Sequence, residues 1–241
     1  MKLQQAITGA VAALVCATAA HAQSAGTFYA ATGWFHFSPQ TSSDPLQVIS
    51  IGGAPVNTSV SGTGASIDQS DTLGLSVGYF ITDHLAAELE AGIPPKFNIE
   101  GAGSFSQFGK LGSARQWSPA LLVKWNFRKP DDKFRPYLGV GVTRVWFTDA
   151  QITNSTFQSA VLHGGPTSVS TDRSWAPVFN AGFNYSFNKH WFAGVSVSYI
   201  PVSVTADLTT TNVGPFGLTA HTQAKIKLNP IVTFAKIGYA F

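Results

Sequence analysis

Four charged residues stand out because so few others surround them. Glu88, Glu90, Lys124 and Lys236 lie in segments of alternating character, each on the face opposite the aliphatic residues. Two carboxylates and two ammonium groups on one face allow two kinds of chemistry. They can pair into a network that plugs a lumen and holds strand register, or they can line a polar path for ions. Both signs occur together, which favours the paired network, because buried charges need partners. Other chemistry is sparse. The chain has no His-Glu-x-x-His, no Gly-x-Ser-x-Gly and no phosphate-binding glycine loop. Gly139-Val140-Gly141 sits inside a strand pattern with no helix after it, so it is not a dinucleotide fingerprint. His36, His84, His163, His190 and His221 are scattered, and His84 and His190 fall in short turns where they read as solvated. No catalytic residue, metal ligand or cofactor is implied, although a triad assembled between strands would leave no local mark.

The composition says what must position these groups. Of 241 residues only 11% are charged and 12% are aromatic, with 18 Phe, 6 Trp and 23 Gly. An ordinary soluble domain carries about 25% charge, so a water-exposed surface over the whole molecule is a poor expectation. The net charge of +3 is scattered, with no basic block, which argues against nucleic acid as a partner. Residues 1–22 read as a cleaved secretory signal: Lys2, an apolar run from Ile7 to Ala20, and Ala20-His21-Ala22 as the cleavage motif. Cys16, the only cysteine, lies inside that leader, so disulfides are not expected in residues 23–241.

No later stretch offers the ~18 consecutive apolar residues of a spanning helix. Instead, period-two alternation recurs over segments of about ten residues. Leu73, Leu75, Val77 and Tyr79 oppose Thr72, Gly74, Ser76 and Gly78. Leu121, Val123, Trp125 and Phe127 oppose Leu122, Lys124 and Asn126, and the chain closes on Ile237, Tyr239 and Phe241. Eight such segments emerge. Short connections near Thr82-Asp83-His84, Arg128 to Lys133 and Asn188-Lys189-His190 alternate with long ones over roughly 38–66, 95–116, 148–173 and 206–221.

That layout predicts an all-β fold: an eight-stranded antiparallel up-and-down transmembrane β-barrel, residues 23–241, with short periplasmic turns and long extracellular loops. Three features favour lipid over water outside. The non-aliphatic face is rich in Gly, Ser, Asn and Ala, which suit a narrow interior. Aromatics cluster near strand ends, as in interfacial girdles. The terminal Phe241 continues an alternating strand. The expected location is the outer membrane of a Gram-negative bacterium. A soluble secreted β-barrel is the competing class.

In this order the segments resemble the outer membrane protein W family over nearly the whole of residues 23–241. They include Leu73 to Phe80 with Thr82-Asp83, Trp117-Ser118-Pro119 with Lys124 to Phe127, Ser174-Trp175, and Leu228-Asn229-Pro230 through Phe241. The most specific string is Phe134-Arg135-Pro136-Tyr137-Leu138-Gly139-Val140-Gly141. The resemblance implies a narrow eight-stranded barrel that moves small hydrophobic molecules across the outer membrane.

An eight-stranded lumen is about wide enough for side chains or one small ligand. If its lower half is plugged, a hydrophobic solute needs a sideways exit. Proline removes a ladder hydrogen bond, and Pro94, Pro95 and Pro119 sit at the loop-side ends of the third and fourth strands, where they either open the wall laterally or simply end strands. Phe97, Phe105 and Phe108, with Ile152, Phe157, Leu162, Phe216 and Leu218, are apolar loop residues suited to a capturing funnel or to loop packing. Trp146 and Phe147, with Ile49 and Ile51, are candidates for a hydrophobic constriction. Arg144 shares parity with Leu138, Val140 and Val142 and so should face outward near the rim, where it could meet lipopolysaccharide phosphate, unless a bulge precedes it. The expected partners are outer-membrane lipid, lipopolysaccharide and small hydrophobic solutes, with the protein a monomer. Passive entry of hydrophobic compounds is the first functional expectation. A non-transporting surface barrel, acting as receptor, adhesin or stress-protective element, is the second.

Overall fold

A computed structural model describes residues 23–163 and 165–241. The leader expected over residues 1–22 lies outside the described residues. Strand β1 (Phe28–Ser38) is followed by β2 (Ser42–Ser43), β3 (Leu46–Ile51), β4 (Ala54–Val60) and β5 (Thr63–Ile67). Next come β6 (Ser70–Phe80), β7 (Leu85–Gly92), β8 (Lys96–Gly103), β9 (Lys110–Trp117), β10 (Ala120–Asn126) and β11 (Phe134–Ile152). A six-residue helix, α1 (Ser155–Ala160), precedes β12 (Thr167–Thr171), β13 (Ser174–Ser186), β14 (Trp191–Tyr199), β15 (Ser203–Val213), β16 (Leu218–Lys227) and β17 (Ile231–Ala240).

Eight of these form a closed antiparallel ring in the order β1, β6, β7, β10, β11, β13, β14, β17. The ring closes through β17 and β1, from Tyr29 opposite Ala240 to Ser38 opposite Ile231. Closure leaves no strand edge for lipid to satisfy, which lipid cannot do. Leu75, Val123 and Val197 point away from the axis at 51%, 46% and 46% exposure. Their alternates, Ser76, Leu122, Lys124, Ser196 and Ser198, are buried. Aliphatic side chains therefore face acyl chains, while glycines, polar groups and a few larger side chains such as Leu122, Phe80 and Phe234 share the axis. Inner-face glycines create room. A Cβ at Gly78 would run into the Tyr29 ring, and one at Gly74 into Phe35.

The short turns are closed by side-chain acceptors. Thr82 Oγ1 accepts from the backbone N–H of Leu85 (2.9 Å), and Asn188 Oδ1 accepts from those of His190 and Trp191 (2.9 Å each). His84 and His190 are not simply solvated. Each donates Nδ1–H to a backbone carbonyl 2.9 Å away, that of Asn126 or Ala240, and stacks on Trp125 or Tyr239.

The long connections differ from expectation: they are mostly strand. Above the ring, a second ladder runs from β5 through β8, β9, the upper half of β11, β12, β15 and β16 to β2 and β3. Its two ends meet where Thr63 Oγ1 accepts from Leu46 N at 2.9 Å. Strand β11 alone has 19 residues, about 60 Å at ~3.3 Å per residue, twice the ~10 residues needed to span. The barrel thus continues outward as a crown with its own core of Leu46, Phe105, Leu111, Phe157, Leu162 and Leu208.

Candidate transport path and lumenal plug

The four charges of the inner face form one network. Lys124 Nζ lies 2.8 Å from Glu88 and 3.0 Å from Glu90, and Lys236 Nζ lies 2.6 Å from Glu88. Tyr29 donates its hydroxyl to Glu88 at 2.5 Å. Strand pairing explains part of this geometry. Glu88 faces Leu122 in the β7–β10 register, so Lys124, two residues on, approaches diagonally. Lys236 and Tyr29 come from β17 and β1. Four strands are thereby pinned across the axis by groups buried from solvent. The charges cancel and the Glu88 carboxylate accepts three contacts, an arrangement suited to sealing the lumen and fixing register. Among the described residues, no three His, Cys, Asp or Glu side chains gather as metal ligands.

Another charge on the inner face stands apart from this network. Arg135 is fully buried at the periplasmic end and donates to the carbonyls of Gln23 (2.6 Å), Asp83 (2.5 Å) and Phe127 (3.3 Å). The available signal was parity: Arg135 alternates with Tyr137 and Gly139, on the inner face.

Above the plug the axis becomes apolar. Phe35 stacks on Phe234 with centroids 4.0 Å apart, and Phe37 meets Phe97 edge-on at 6.0 Å. A narrow space runs from Glu90 past Phe35 and Phe37 to Ile200. Higher up, two small apolar spaces share Ile99, Val169, Ala206 and Ile226 as walls. Phe97 and Phe147 line the lower, and Phe105, Phe157 and Leu111 the upper.

Several expected passage residues take other places. Phe108 packs behind the cavity wall, edge-on to Phe105 and Phe157. Trp146 faces the outer wall, because β11 turns Val145 and Phe147 inward; it stacks parallel on Trp117 at 5.8 Å. Ile49 and Ile51 lie half-buried along β3 and are not among the residues lining these spaces. Phe216 and Leu218 flank the tip of the β15–β16 hairpin, with Phe216 at 84% exposure. Ile152 and Phe157 line the upper space, while Leu162 belongs to the crown core.

The wall is interrupted where the three prolines lie. Strand β7 ends at Gly92 and β8 begins at Lys96, while β9 ends at Trp117 and β10 begins at Ala120. Between the Glu90–Ala120 pair and the Gln116 N to Pro95 O bond (3.1 Å), residues 91–94 and 117–119 share no ladder pairing. A pocket opens there, lined by Phe37, Ile93, Pro95, Trp117, Pro119 and Trp146 among others. Pro94 flanks it without lining it. Phe37 lines both this pocket and the axial space above Glu90.

Arg144 faces outward, with its guanidinium carbon 5.7 Å from the Trp175 ring centroid. The β11–β13 register is continuous from Phe134 to Val145, so no bulge precedes Arg144.

Known proteins share this architecture. The chain is 28% identical over 241 residues to outer membrane protein W of Vibrio cholerae, covering 99% of this chain and all of that protein. It is 26% identical over 183 residues to the dibenzothiophene metabolism operon protein PahQ of Pseudomonas aeruginosa, covering 74% of this chain and 76% of that one. The crystal structure of OprG from Pseudomonas aeruginosa superposes with a TM-score of 0.77 at 26% identity, covering 93% and 99% of the two chains. A profile of the OmpW family matches residues 24–241, and together with the closed eight-stranded ring and its lipid-facing aliphatic wall this places the chain in the outer membrane as a member of the OmpW family.

Proposed function

We propose that this barrel is a passive conduit for small hydrophobic molecules, which enter through the crown and leave sideways through the wall. The observation that carries this reading is the position of Phe37. It borders both the axial space, whose floor is the Glu88 network, and the wall pocket between β7–β8 and β9–β10. An apolar solute descending past Phe97 would have to break a buried ion network to continue along the axis. Stepping sideways past Phe37 keeps it among mostly apolar side chains, with Thr72, Gln116 and Ser118 the polar members of the lining, until it meets acyl chains. The Phe37–Phe97 pair is the gate on that route. Pro95 and Pro119 keep the wall open, since neither can donate to a ladder there. No energy input is needed, because transfer from water to lipid is itself favourable for apolar solutes. The relative from a dibenzothiophene metabolism operon fits a barrel that supplies such substrates to inner enzymes.

The test is uptake of an alkane and an uncharged aromatic into lipid vesicles containing the purified protein. Ala91→Trp fills the wall pocket and should slow uptake several-fold, as should replacing Pro95 and Pro119 together by Val. Undiminished uptake in both variants sinks the lateral route. Absence of flux in the unmodified protein favours the second reading, a non-transporting surface barrel. The exposed Phe216 at the crown tip suits that alternative as a contact point.

A further inference from the structure

Two polar groups interrupt the outer surface where the strands leave the aliphatic band, and they are unlike. On β1 and β6, Asp71 is answered from within: Trp34 Nε1 donates to it at 2.9 Å and His36 Nδ1 pairs with it at 2.8 Å. On β11, Arg144 has no such answer. It follows Leu138, Val140 and Val142 on the outward face, all exposed, and stands directly opposite Trp175 on β13. Among the described residues no carboxylate pairs with it. Further out on the same wall, Lys96 and Arg115 oppose each other across β8 and β9. Among the described residues, Arg115 alone of these three cations holds a carboxylate, Asp149 at 3.3 Å.

An arginine on a lipid-facing wall is costly at mid-bilayer and tolerable near the interface. Its rigid fork of donors matches the oxygens of a phosphate, and its flat face stacks on an aromatic ring. We infer that Arg144, seated on Trp175, binds the phosphate of an outer-leaflet lipid headgroup. The surface beneath it commits the site to a lipid rather than to free phosphate: Val142 and Phe179 offer an apolar wall along which acyl chains can lie while the headgroup is held. The site also touches the proposed exit. Arg144 N donates to Pro119 O at 3.3 Å, and Pro119 and Trp146 line the wall pocket. A lipid held here stands beside the opening.

The experiment measures lipid binding to the full chain in phosphatidylcholine nanodiscs by native mass spectrometry, with no flux readout. Lipid A carrying its phosphates should bind. Lipid A stripped of them should not, and inorganic phosphate should neither bind nor compete. Arg144→Gln should weaken binding about tenfold or more, as expected for loss of charge-assisted hydrogen bonds. Arg144→Lys should restore part of it, and Trp175→Leu should weaken it less than Arg144→Gln. Heat-modifiable gel mobility checks that each variant is folded. Equal binding by wild type and Arg144→Gln overturns the proposal. Equal binding of dephosphorylated lipid A, or competition by inorganic phosphate, overturns the assignment to a lipid phosphate.

Discussion

One strand passes through two solvents. In its lower half, β11 turns Leu138, Val140 and Val142 outward and Tyr137, Gly139, Gly141 and Thr143 inward. Past Arg144 the same outward face carries Trp146 and Thr148, and the same inward face carries Val145 and Phe147. Side-chain direction does not change across Arg144; the chemistry does. Strands β15 and β16 repeat the upper pattern, with Val204, Leu208 and Ile226 buried and Asp207, Lys225 and Lys227 exposed. In the membrane, apolar surface gains nothing by leaving lipid, so the barrel interior is held by polar pairing and close fit. In water the crown is held by apolar burial, at roughly 25 cal/mol per Å². Alternation therefore marks a strand in both regions, and only the solvent decides which face is greasy.

That contrast can be broken most sharply at the plug. Lys124→Met leaves the buried Glu88 and Glu90 short of a partner and should cost about 3–5 kcal/mol in a folding titration into lipid vesicles. A cost under about 1 kcal/mol would mean that the network does not hold the barrel. Next comes the outer face. Val123→Arg should cost about 2–4 kcal/mol in the same titration. Thr209→Arg, on the crown exterior, should stay within about 0.5 kcal/mol; equal penalties would erase the distinction between the two surfaces. Smaller still is a trimmed methyl group. Ile226→Val in the crown core should cost about 0.5–1.5 kcal/mol, read as faster hydrogen exchange in β15 and β16. Val140→Ala on the lipid face should cost less, because that side chain meets hydrocarbon whether or not the barrel forms. Last, Phe216→Ser should change stability by no more than about 0.5 kcal/mol, since the ring is in water.

The eight barrel strands and three short turns were readable because period two, aromatic strand ends and turn formers such as Thr82 and Asn188 are local signals. In sequence the crown looks like loops for a physical reason. Its Gly, Ser, Thr and Asn content mimics coil, and its alternation of Ala220, Thr222, Ala224 and Ile226 against His221, Gln223 and Lys225 carries little hydrophobic contrast until neighbouring strands lie beside it. The candidate path shows the same division. Phe97 and Phe105 stand out as greasy residues in an apparent loop, and Phe147 as an aromatic at the end of an alternating segment. Trp146 stands beside Phe147 at that strand end, but its parity on β11 sends it to the outer wall. Phe37 carries no such signal, because within β1 it is one more strand aromatic.

From residue order alone come the number of staves, by counting alternating segments, and the shared face of Glu88, Glu90, Lys124 and Lys236, by parity within each short segment; that this face looks inward follows from its Gly, Ser and Asn content and the aromatics at strand ends. Tertiary structure alone decided which of those charges touch. Glu88 and Lys236 lie 148 positions apart and meet at 2.6 Å only because the ring closes. It also decided that the break between β7 and β8 falls beside the break between β9 and β10. A gap in a wall needs two adjacent strands to lapse at the same height, and height is set by long-range register.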